Sequence, residues 1–365
     1  MNRVNMDQDP ISHEIENAIL LDIFPGAVLL CALNNKIVFH QAFGLADIYE
    51  KRVMKKASIF DLASLTKPFA TAFALVKLIE QGKLFLSQPL GELLDPFQGT
   101  DKAAITIDML LRHTSGLPSY KEYFKDLVKV NSDRKQVLRQ MLVSEKLVAK
   151  PGSTQEYSDL GFMILSWVIE TITGQPLDQY VSEQIYSPLG IEHLFYIPKQ
   201  SKDIIMNLYG PLIVATQQCP WREKLLCGEV DDDNAWAVGG VEGHAGLFGD
   251  TSSVYTLCSE LLNAVTNKPT RVLAPQIIQQ LVTKKDDHDM VAGFDTPSKE
   301  NSSAGNQFSV SSVGHLGFTG TSFWIDPETS LIVVFLTNRV HPTRANEKLK
   351  KFRPRLHNLI YDHLL

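Results

Sequence analysis

Long apolar runs, paired cysteines and an excess of positive charge are all missing from this 365-residue chain. No apolar stretch approaches the length that crosses a membrane, so we expect no membrane span. The formal net charge of −6 provides no basic surface, so we expect no nucleic-acid partner. The four cysteines show no short paired spacing of the zinc type, which argues against a structural zinc site.

Several catalytic and targeting signatures are also absent. The chain has no G-x-S-x-G elbow, H-E-x-x-H helix, Walker loop or G-x-G-x-x-G turn, so the enzyme classes built on those motifs lose their usual support. Residues 1–16 are polar and lack the positive-then-apolar order of a secretory signal. Taken literally, these residues predict a cytoplasmic protein with reduced thiols.

The most informative residues present are Ser64 and Lys67, which stand three positions apart. Apolar residues recur at helical spacing behind them and Gly82 closes the run, which predicts a helix over 64–82. Residues three apart share a helix face, so the Lys67 amine should lie near the Ser64 hydroxyl. A lysine sheltered from water can activate a serine nucleophile. The same spacing at Ser132 and Lys135 lies in a polar stretch, which we interpret as a solvated surface.

Two further segments carry groups suited to acyl chemistry. Tyr157 precedes Ser158 and Asp159 before a predicted helix; its phenol is either a half-buried structural group or a proton shuttle beside Lys67. Glycine-rich residues 314–320 precede a predicted hairpin, where an edge strand could place the Phe318 N–H as one oxyanion donor, with the Ser64 N–H as the other.

Three motifs have simpler interpretations. Considered without the other motifs, His315 is interpreted as a hydrogen-bonded structural histidine. Residues 113–118 read as a helix end followed by a turn with a structural role. Residues 239–246 are rich in glycine and follow three aspartates at 231–233. We interpret them as a tight loop near the pocket, the alternative being metal or phosphate binding, for which the ligand spacing is missing.

The order of elements predicts two lobes. Residues 27–33 and 37–43 form one predicted hairpin, and residues 323–325 and 331–336 form a second near the other end of the chain. Helices are predicted between them, one of them over residues 134–149, and residues 346–365 form a predicted closing helix. The simplest arrangement is an α/β lobe from residues 1–63 and 285–365 and a mostly helical lobe from residues 64–284. Ser64 then lies at their junction, where pockets tend to form.

Ser64-x-x-Lys67, Tyr157-Ser158-Asp159 and His315-Leu316-Gly317, in that order, resemble the three motifs of serine β-lactamases and penicillin-binding proteins. The tyrosine-type second motif is similar to the class C branch, which also holds D-alanyl carboxypeptidases, D-aminopeptidases and family VIII esterases. Residues 60–67, 111–118 and 314–327 extend the likeness, which spans roughly residues 24–342. The resemblance implies an α+β fold with an antiparallel sheet flanked by helices and a mostly helical lobe.

The resemblance also implies roles by position. Ser64 would be the acylated nucleophile and Lys67 and Tyr157 the proton-handling pair, with the Ser64 and Phe318 N–H groups as the oxyanion hole. Asp159, His315 and Gly317 would contact the substrate. No metal or organic cofactor is implied, and the expected partner is a small ester, amide or lactam.

Two residues depart from the commonest form of these motifs. His315 stands where lysine is common, and a histidine is largely neutral near pH 7 unless its pKa is raised. Asp159 stands where asparagine is common, and a carboxylate cannot donate to a substrate amide as asparagine does. Asp159 could instead hold Lys67 protonated, which would leave Tyr157 as the base. Both changes favour simple esters over acylated amino acids.

The sequence therefore predicts a serine hydrolase with an acyl-enzyme on Ser64 and an esterase-like pocket. The alternative enzyme is a β-lactamase or D-alanyl carboxypeptidase or D-aminopeptidase acting on cell-wall fragments. A third hypothesis is a non-catalytic penicillin-binding-type sensor, against which the presence of all three chemical groups argues. Nothing in the sequence predicts the oligomeric state.

Overall fold

The computed structural model describes residues 9–285 and 288–365. Its strands are β1 (Gly26–Leu33), β2 (Lys36–Asp47), β3 (Arg52–Val53), β4 (Phe60–Asp61), β5 (Leu194–Tyr196), β6 (Gln218–Cys219), β7 (Lys224–Leu225), β8 (Leu247–Gly249), β9 (Met290–Val291), β10 (Phe294–Asp295), β11 (Val313–Leu316), β12 (Ser322–Asp326) and β13 (Leu331–Thr337).

The α-helices fill most of the chain between the first and last strands and also flank them. They are α1 (Pro10–Leu20), α2 (Phe73–Glu80), α3 (Leu90–Leu93), α4 (Ile107–Leu111), α5 (Phe124–Leu127), α6 (Arg134–Ser144), α7 (Asp159–Thr173), α8 (Leu177–Val181), α9 (Ser187–Leu189), α10 (Lys202–Tyr209), α11 (Asp233–Ala237), α12 (Thr251–Val265), α13 (Pro275–Val282) and α14 (Leu349–Leu364).

Eight strands form one antiparallel sheet in the order β3-β2-β1-β13-β12-β11-β10-β9. β1 pairs with β13 over seven residues, so the two ends of the chain meet in the middle of the sheet. Both predicted hairpins are confirmed, as β1–β2 and β12–β13. The predicted class, α+β with an antiparallel sheet flanked by helices, is also confirmed.

The centre of the sheet is buried on both faces, which explains why β1 is a continuous apolar run. Side chains alternate along a strand, so Val28 and Leu30 join the large core beneath the helical part. Leu29 and Cys31 join a second core on the opposite face. The second core is closed by α1 and α14, which pack against each other.

The two-lobe division stays a prediction. Helices α2 to α11 lie in the chain between the two sets of sheet strands, whereas α12 contacts β1, β12 and β13 directly. Residues 1–8 and 286–287, which belong to the predicted α/β lobe, lie outside the described residues. The predicted cytoplasmic location, which depends partly on residues 1–8, also stays a prediction. Within the described ranges, no helix is long and apolar enough to cross a membrane.

Helix α1 was not predicted, although its signals are present in the sequence. Asp9 caps the helix by accepting from the Ser12 N–H, and Pro10 occupies the first turn. Ile11, Ile15 and Ala18 form its buried face. The polar character of residues 1–16 hid this helix, because its apolar stripe is only one residue wide per turn.

Two other predicted elements differ in detail. The helix predicted over 64–82 is divided into a 3₁₀ turn (Ala63–Leu65), a π-helical segment (Lys67–Ala72) and α2. Such π segments are frequently found at functional sites. The helix predicted through residue 149 ends at Ser144, because the chain then runs extended and the Val148 N–H donates to the Gly116 carbonyl.

Candidate active site

Ser64 follows a residue held in an unusual backbone conformation. Ala63 has a φ of +48°, and its N–H donates to the carboxylate of Asp61. The Thr66 hydroxyl donates to the Ala63 carbonyl over 2.6 Å and accepts the Leu247 N–H over 3.1 Å. A non-glycine residue at positive φ is strained, and these bonds hold it in place. They leave Ser64 partly exposed at the wall of a cavity.

Lys67 lies fully buried directly behind Ser64. Its Nζ lies 3.1 Å from Ser64 Oγ, 2.6 Å from Asp159 Oδ1 and 3.2 Å from the His244 carbonyl oxygen. An ammonium group has three N–H donors and no acceptor, and here each donor has a partner. The geometry therefore fits the protonated form of Lys67.

The charge of Asp159 explains why the buried lysine keeps its proton. Burial by itself would lower the pKa of Lys67, but the Asp159 carboxylate and the Tyr157 phenol outweigh it and raise the pKa above its usual value. Asp159 lies in the first turn of α7, where the helix dipole favours a negative charge. The predicted pairing of Asp159 with Lys67 is thus present in the structure.

Tyr157 is positioned by a histidine from the segment predicted to be structural. His113 Nδ1 accepts the Ser158 N–H over 2.9 Å, and the His113 ring stacks on the Tyr157 ring with centroids 4.6 Å apart. The Ser158 hydroxyl donates to the Pro118 carbonyl over 2.7 Å. Burial raises the pKa of the Tyr157 phenol, and the neighbouring charge of Lys67 opposes this rise.

The turn between β11 and β12 is bonded to the segment that precedes Ser64. The Thr319 hydroxyl donates to the Asp61 carbonyl over 2.7 Å, and the Thr321 hydroxyl donates to the Leu62 carbonyl over 3.0 Å. Gly317 permits this approach, since a Cβ there would lie 2.6 Å from the Leu62 oxygen and 1.9 Å from the Thr321 hydroxyl. Gly317 and Ser64 consequently face the same cavity.

Phe318 presents a free backbone donor in this turn. Its carbonyl accepts from Arg339, whereas its N–H has no hydrogen-bond partner among the residues that the structure describes. Phe318 and Ser64 both line the cavity. The two backbone groups predicted to hold an oxyanion therefore belong to one wall.

His315 does not reach the cavity wall. Its ring is 3% exposed, and its Nδ1 lies 2.9 Å from the Leu316 carbonyl oxygen. Burial and the charge of Lys67 lower the pKa of His315 to about 3, so the ring is neutral at physiological pH. The structure thus supplies no cation at this position, and the predicted substrate contact of His315 has no geometric support. The structural alternative agrees better with its placement.

The loop at 239–246 lines the cavity and contains a pair that the sequence did not single out as functional. His244 Nε2 lies 2.9 Å from Asp232 Oδ1. Burial lowers the pKa of His244, but the Asp232 carboxylate outweighs it and raises the pKa. Asp231 and Asp233 both pair with Arg344 instead. Across residues 9–285 and 288–365, no cluster of three potential metal-ligating side chains is found.

The cavity has a volume of about 620 Å³, within the range of small-molecule sites. Its wall holds Ser64, Tyr157, Asp159, Gly317 and Phe318, whereas Lys67 lies behind it. The arginines of the cavity were not predicted from the sequence, because they lie in the segment after β13 and on α14, outside the three motifs.

Known proteins resemble this chain over most of its length. A model of the Beta-lactamase family matches residues 21–354. A protein of Salmonella agona (strain SL483), described as "Putative D-alanyl-D-alanine carboxypeptidase", is 33% identical over 359 residues, which cover 89% of this chain and 81% of that protein. The match extends over most of both chains.

Two solved structures share the fold. EstCE1, described as a hydrolase with promiscuous acyltransferase activity, has a TM-score of 0.74 and 22% identity, covering 96% of this chain and 97% of its own. An octameric penicillin-binding protein homologue from Pyrococcus abyssi has a TM-score of 0.74 and 18% identity, covering 98% of this chain and 77% of its own. With the family match over nearly the whole length, this chain belongs to the Beta-lactamase family and is a serine hydrolase with the β-lactamase-like fold.

Proposed function

We propose that the protein hydrolyses a small ester through a covalent acyl-enzyme on Ser64. The observation that carries this proposal is the Ser64–Lys67–Asp159 chain of contacts, in which a buried ammonium donates to the serine hydroxyl and to a carboxylate. A buried, oriented cation beside a cavity-facing serine is suited to stabilising the negative charge that develops during acyl transfer.

Proton transfer is assigned to Tyr157 rather than Lys67. Each donor of Lys67 is already bonded, and Asp159 stabilises its charge, so Lys67 has no free lone pair to accept a proton. The phenol of Tyr157 lines the same cavity, and Lys67 Nζ lies 4.8 Å from its ring centre. Lys67 opposes the rise in the pKa of Tyr157 that burial causes, and the phenolate fraction, which grows as the pH rises, is the base.

The reaction then follows from these assignments. Ser64 Oγ attacks the ester carbonyl as its proton passes to the Tyr157 phenolate, and the oxyanion accepts from the Ser64 and Phe318 N–H groups. The leaving alkoxide takes the proton from Tyr157 as the C–O bond breaks. Water next attacks the acyl group and gives its proton to Tyr157. Collapse returns the proton to Ser64 and releases the acid.

Simple esters are favoured because two groups expected to recognise an acylated amino acid are engaged or hidden. Asp159 is bonded to Lys67, and as a carboxylate it cannot donate to a substrate amide oxygen. His315 is buried and neutral, so it offers no charge to a substrate carboxylate. An ester with a good leaving group needs neither contact.

The direct test compares turnover of 4-nitrophenyl butyrate with that of a chromogenic cephalosporin. We expect measurable ester hydrolysis and a kcat/KM for the cephalosporin at least about tenfold lower, since the lactam relies on the missing contacts. Preferential cephalosporin turnover would contradict the esterase assignment and favour a β-lactamase.

A D-alanyl carboxypeptidase is the second candidate, and it is favoured by the similarity to the Salmonella agona protein described as "Putative D-alanyl-D-alanine carboxypeptidase". Release of D-alanine from a D-alanyl-D-alanine peptide, followed in the same preparations, separates the two candidates. A kcat/KM for the peptide above that for the butyrate ester would reverse our ordering.

We expect Asp159→Asn to move the rising limb of the pH–rate profile to lower pH by about one unit or more. The Asp159 carboxylate raises the pKa of the Tyr157 phenol as well as that of Lys67. Without it, the base forms at lower pH, either as the Tyr157 phenolate or as a neutral Lys67 amine. Asparagine also restores an amide donor, so the ratio of lactam to ester turnover should rise. The measurement is kcat/KM from pH 5.5 to 9.5 for both substrates.

Asp159→Asn should also lower the free energy of unfolding, and the loss should depend on pH. In the native protein the raised pKa of Lys67 stabilises the fold at neutral pH, and the variant loses this contribution because the buried amine must give up its proton. The free energy of unfolding should therefore fall more at pH 6 than at pH 9. Glu170→Gln is the control, since Glu170 pairs with Lys135 and Arg139 away from the cavity. An unchanged rising limb of the pH–rate profile in Asp159→Asn would contradict the role given to the Asp159 carboxylate.

A further inference from the structure

Among the described residues, four arginine or lysine side chains line the cavity, and three of them already have partners. Arg344 pairs with two aspartates of the 231–233 segment, and Lys350 pairs with a glutamate three residues earlier. Arg339 donates to the carbonyls of Phe318, residue 344 and residue 346. The contacts of Arg339 and Arg344 hold the cavity wall together, whereas the Lys350 ion pair is exposed to solvent at the rim.

Arg353 differs from the other three. It lies on α14, lines the same cavity and is only 5% exposed. Its guanidinium makes no hydrogen bond or ion pair with any described residue, and its Nε is buried without a partner. Burial and the nearby charge of Arg339 lower the pKa of Arg353 to about 10, so the group is still a cation at neutral pH.

No described side chain compensates this charge. The ionisable residue one turn along α14 is His357, and burial together with Arg353 lowers its pKa to about 3, so it is neutral. An uncompensated buried charge is costly, and buried charges in proteins are normally paired. The fold places α14 against α1 and the second core, so Arg353 is held at the cavity rather than free to turn into solvent.

We propose that Arg353 is an anion subsite that binds a carboxylate carried by the substrate. This inference rests on the proposed function and specifies its substrate class: an acidic ester whose carboxylate lies away from the scissile bond. A guanidinium binds a carboxylate through two parallel hydrogen bonds, which neither the neutral His315 nor the occupied Arg339 can offer. The cation that the third motif lacks is thus supplied from α14.

Two pairs of chromogenic esters test this subsite. In the first pair, mono-4-nitrophenyl glutarate carries the carboxylate on the acyl group and 4-nitrophenyl valerate is its neutral match. In the second pair, 3-carboxy-4-nitrophenyl butyrate carries it on the leaving group and 4-nitrophenyl butyrate is the neutral match. We expect the native enzyme to prefer the acidic member of one pair, and the pair concerned identifies the side of the scissile bond.

The variant is Arg353→Gln, and its matched control is Arg355→Gln on the same helix. Arg355 points to solvent and pairs with Glu14, so the control removes the same charge without touching the cavity. Arg353→Gln should lower kcat/KM for the preferred acidic ester by about 10- to 100-fold, mainly through KM, as expected for a lost charge-assisted hydrogen bond. The neutral esters should change by less than about twofold, and Arg355→Gln should behave as the native enzyme.

Binding without turnover provides a second readout. Glutarate should raise the melting temperature of the native protein and of Arg355→Gln but not of Arg353→Gln. An equal loss on acidic and neutral esters, or an unchanged preference in Arg353→Gln, would overturn the subsite. If no ester is hydrolysed, the ester proposal fails, and the subsite is then tested by the rise of the melting temperature with glutarate. A rise that depends on Arg353 supports the subsite. A rise that does not depend on Arg353, or no rise at all, overturns it.

Discussion

Ser64→Ala is expected to lower kcat for 4-nitrophenyl butyrate by about 10⁴-fold or more. The substitution removes the only atom that the proposed mechanism acylates, and what remains is catalysis by the oxyanion donors and by binding alone. The fold should be kept, because the Ser64 hydroxyl is partly exposed at the cavity and the change deletes one oxygen. Steady-state kinetics measure the loss of kcat, and a far-ultraviolet circular dichroism spectrum of each protein checks that the fold is kept.

The chain provides its own control for this experiment. Ser132 and Lys135 repeat the Ser-x-x-Lys spacing, but Ser132 is exposed and Lys135 pairs with Glu170. Ser132→Ala should therefore keep the native kcat. This result would show that the loss of kcat in Ser64→Ala depends on the buried environment of Lys67 rather than on the tetrapeptide.

The acyl-enzyme can be observed directly by mass spectrometry after rapid acid quenching with a slowly hydrolysed ester. The native protein and Ser132→Ala should gain the mass of one acyl group, and Ser64→Ala should not. A stable adduct at another residue, or retained turnover in Ser64→Ala, would contradict the nucleophile assignment. An adduct that forms but never hydrolyses would instead support the sensor hypothesis.

Tyr157→Phe is expected to lower the acylation rate by about 10²- to 10⁴-fold, the range typical for loss of a positioned acid–base group. The variant retains the aromatic ring that stacks on His113, so only the phenolic oxygen is lost. The pH dependence should change as well, because the rise of kcat/KM toward alkaline pH is attributed to ionisation of this phenol. Stopped-flow measurement of the nitrophenol burst reports acylation separately from deacylation.

Tyr120→Phe is the matched control for Tyr157→Phe. Tyr120 also lines the cavity, but its phenol makes no hydrogen bond to Ser64 or Lys67 within the described residues. Its acylation rate should stay within about threefold of the native value. A nearly native acylation rate in Tyr157→Phe would return the role of base to Lys67.

The fold and the proposed catalytic groups could largely be predicted from short segments of the sequence. The Ser64 and Lys67 spacing needs only one helical turn to bring the two side chains together, and the structure places them 3.1 Å apart. The two hairpins could be predicted because each joins neighbouring apolar runs. Helix α1 was not predicted, because few of its residues are apolar. Where a feature depends on neighbours in the chain, periodicity and turn residues are sufficient to predict it.

Other features depended on contacts between distant segments. Asp159 holds the charge of Lys67 across 92 positions, a pairing that the sequence raised as one alternative and the packing provided. The sequence indicated a neutral His315 but not its burial behind the cavity, and the lack of a partner for Arg353 could not be predicted from it. The charge of a buried group is set by desolvation and by charges a few ångströms away. The sequence by itself therefore determined which chemical groups this protein has and their local spacing, and only the tertiary structure decided which of them are charged, paired or open to a ligand.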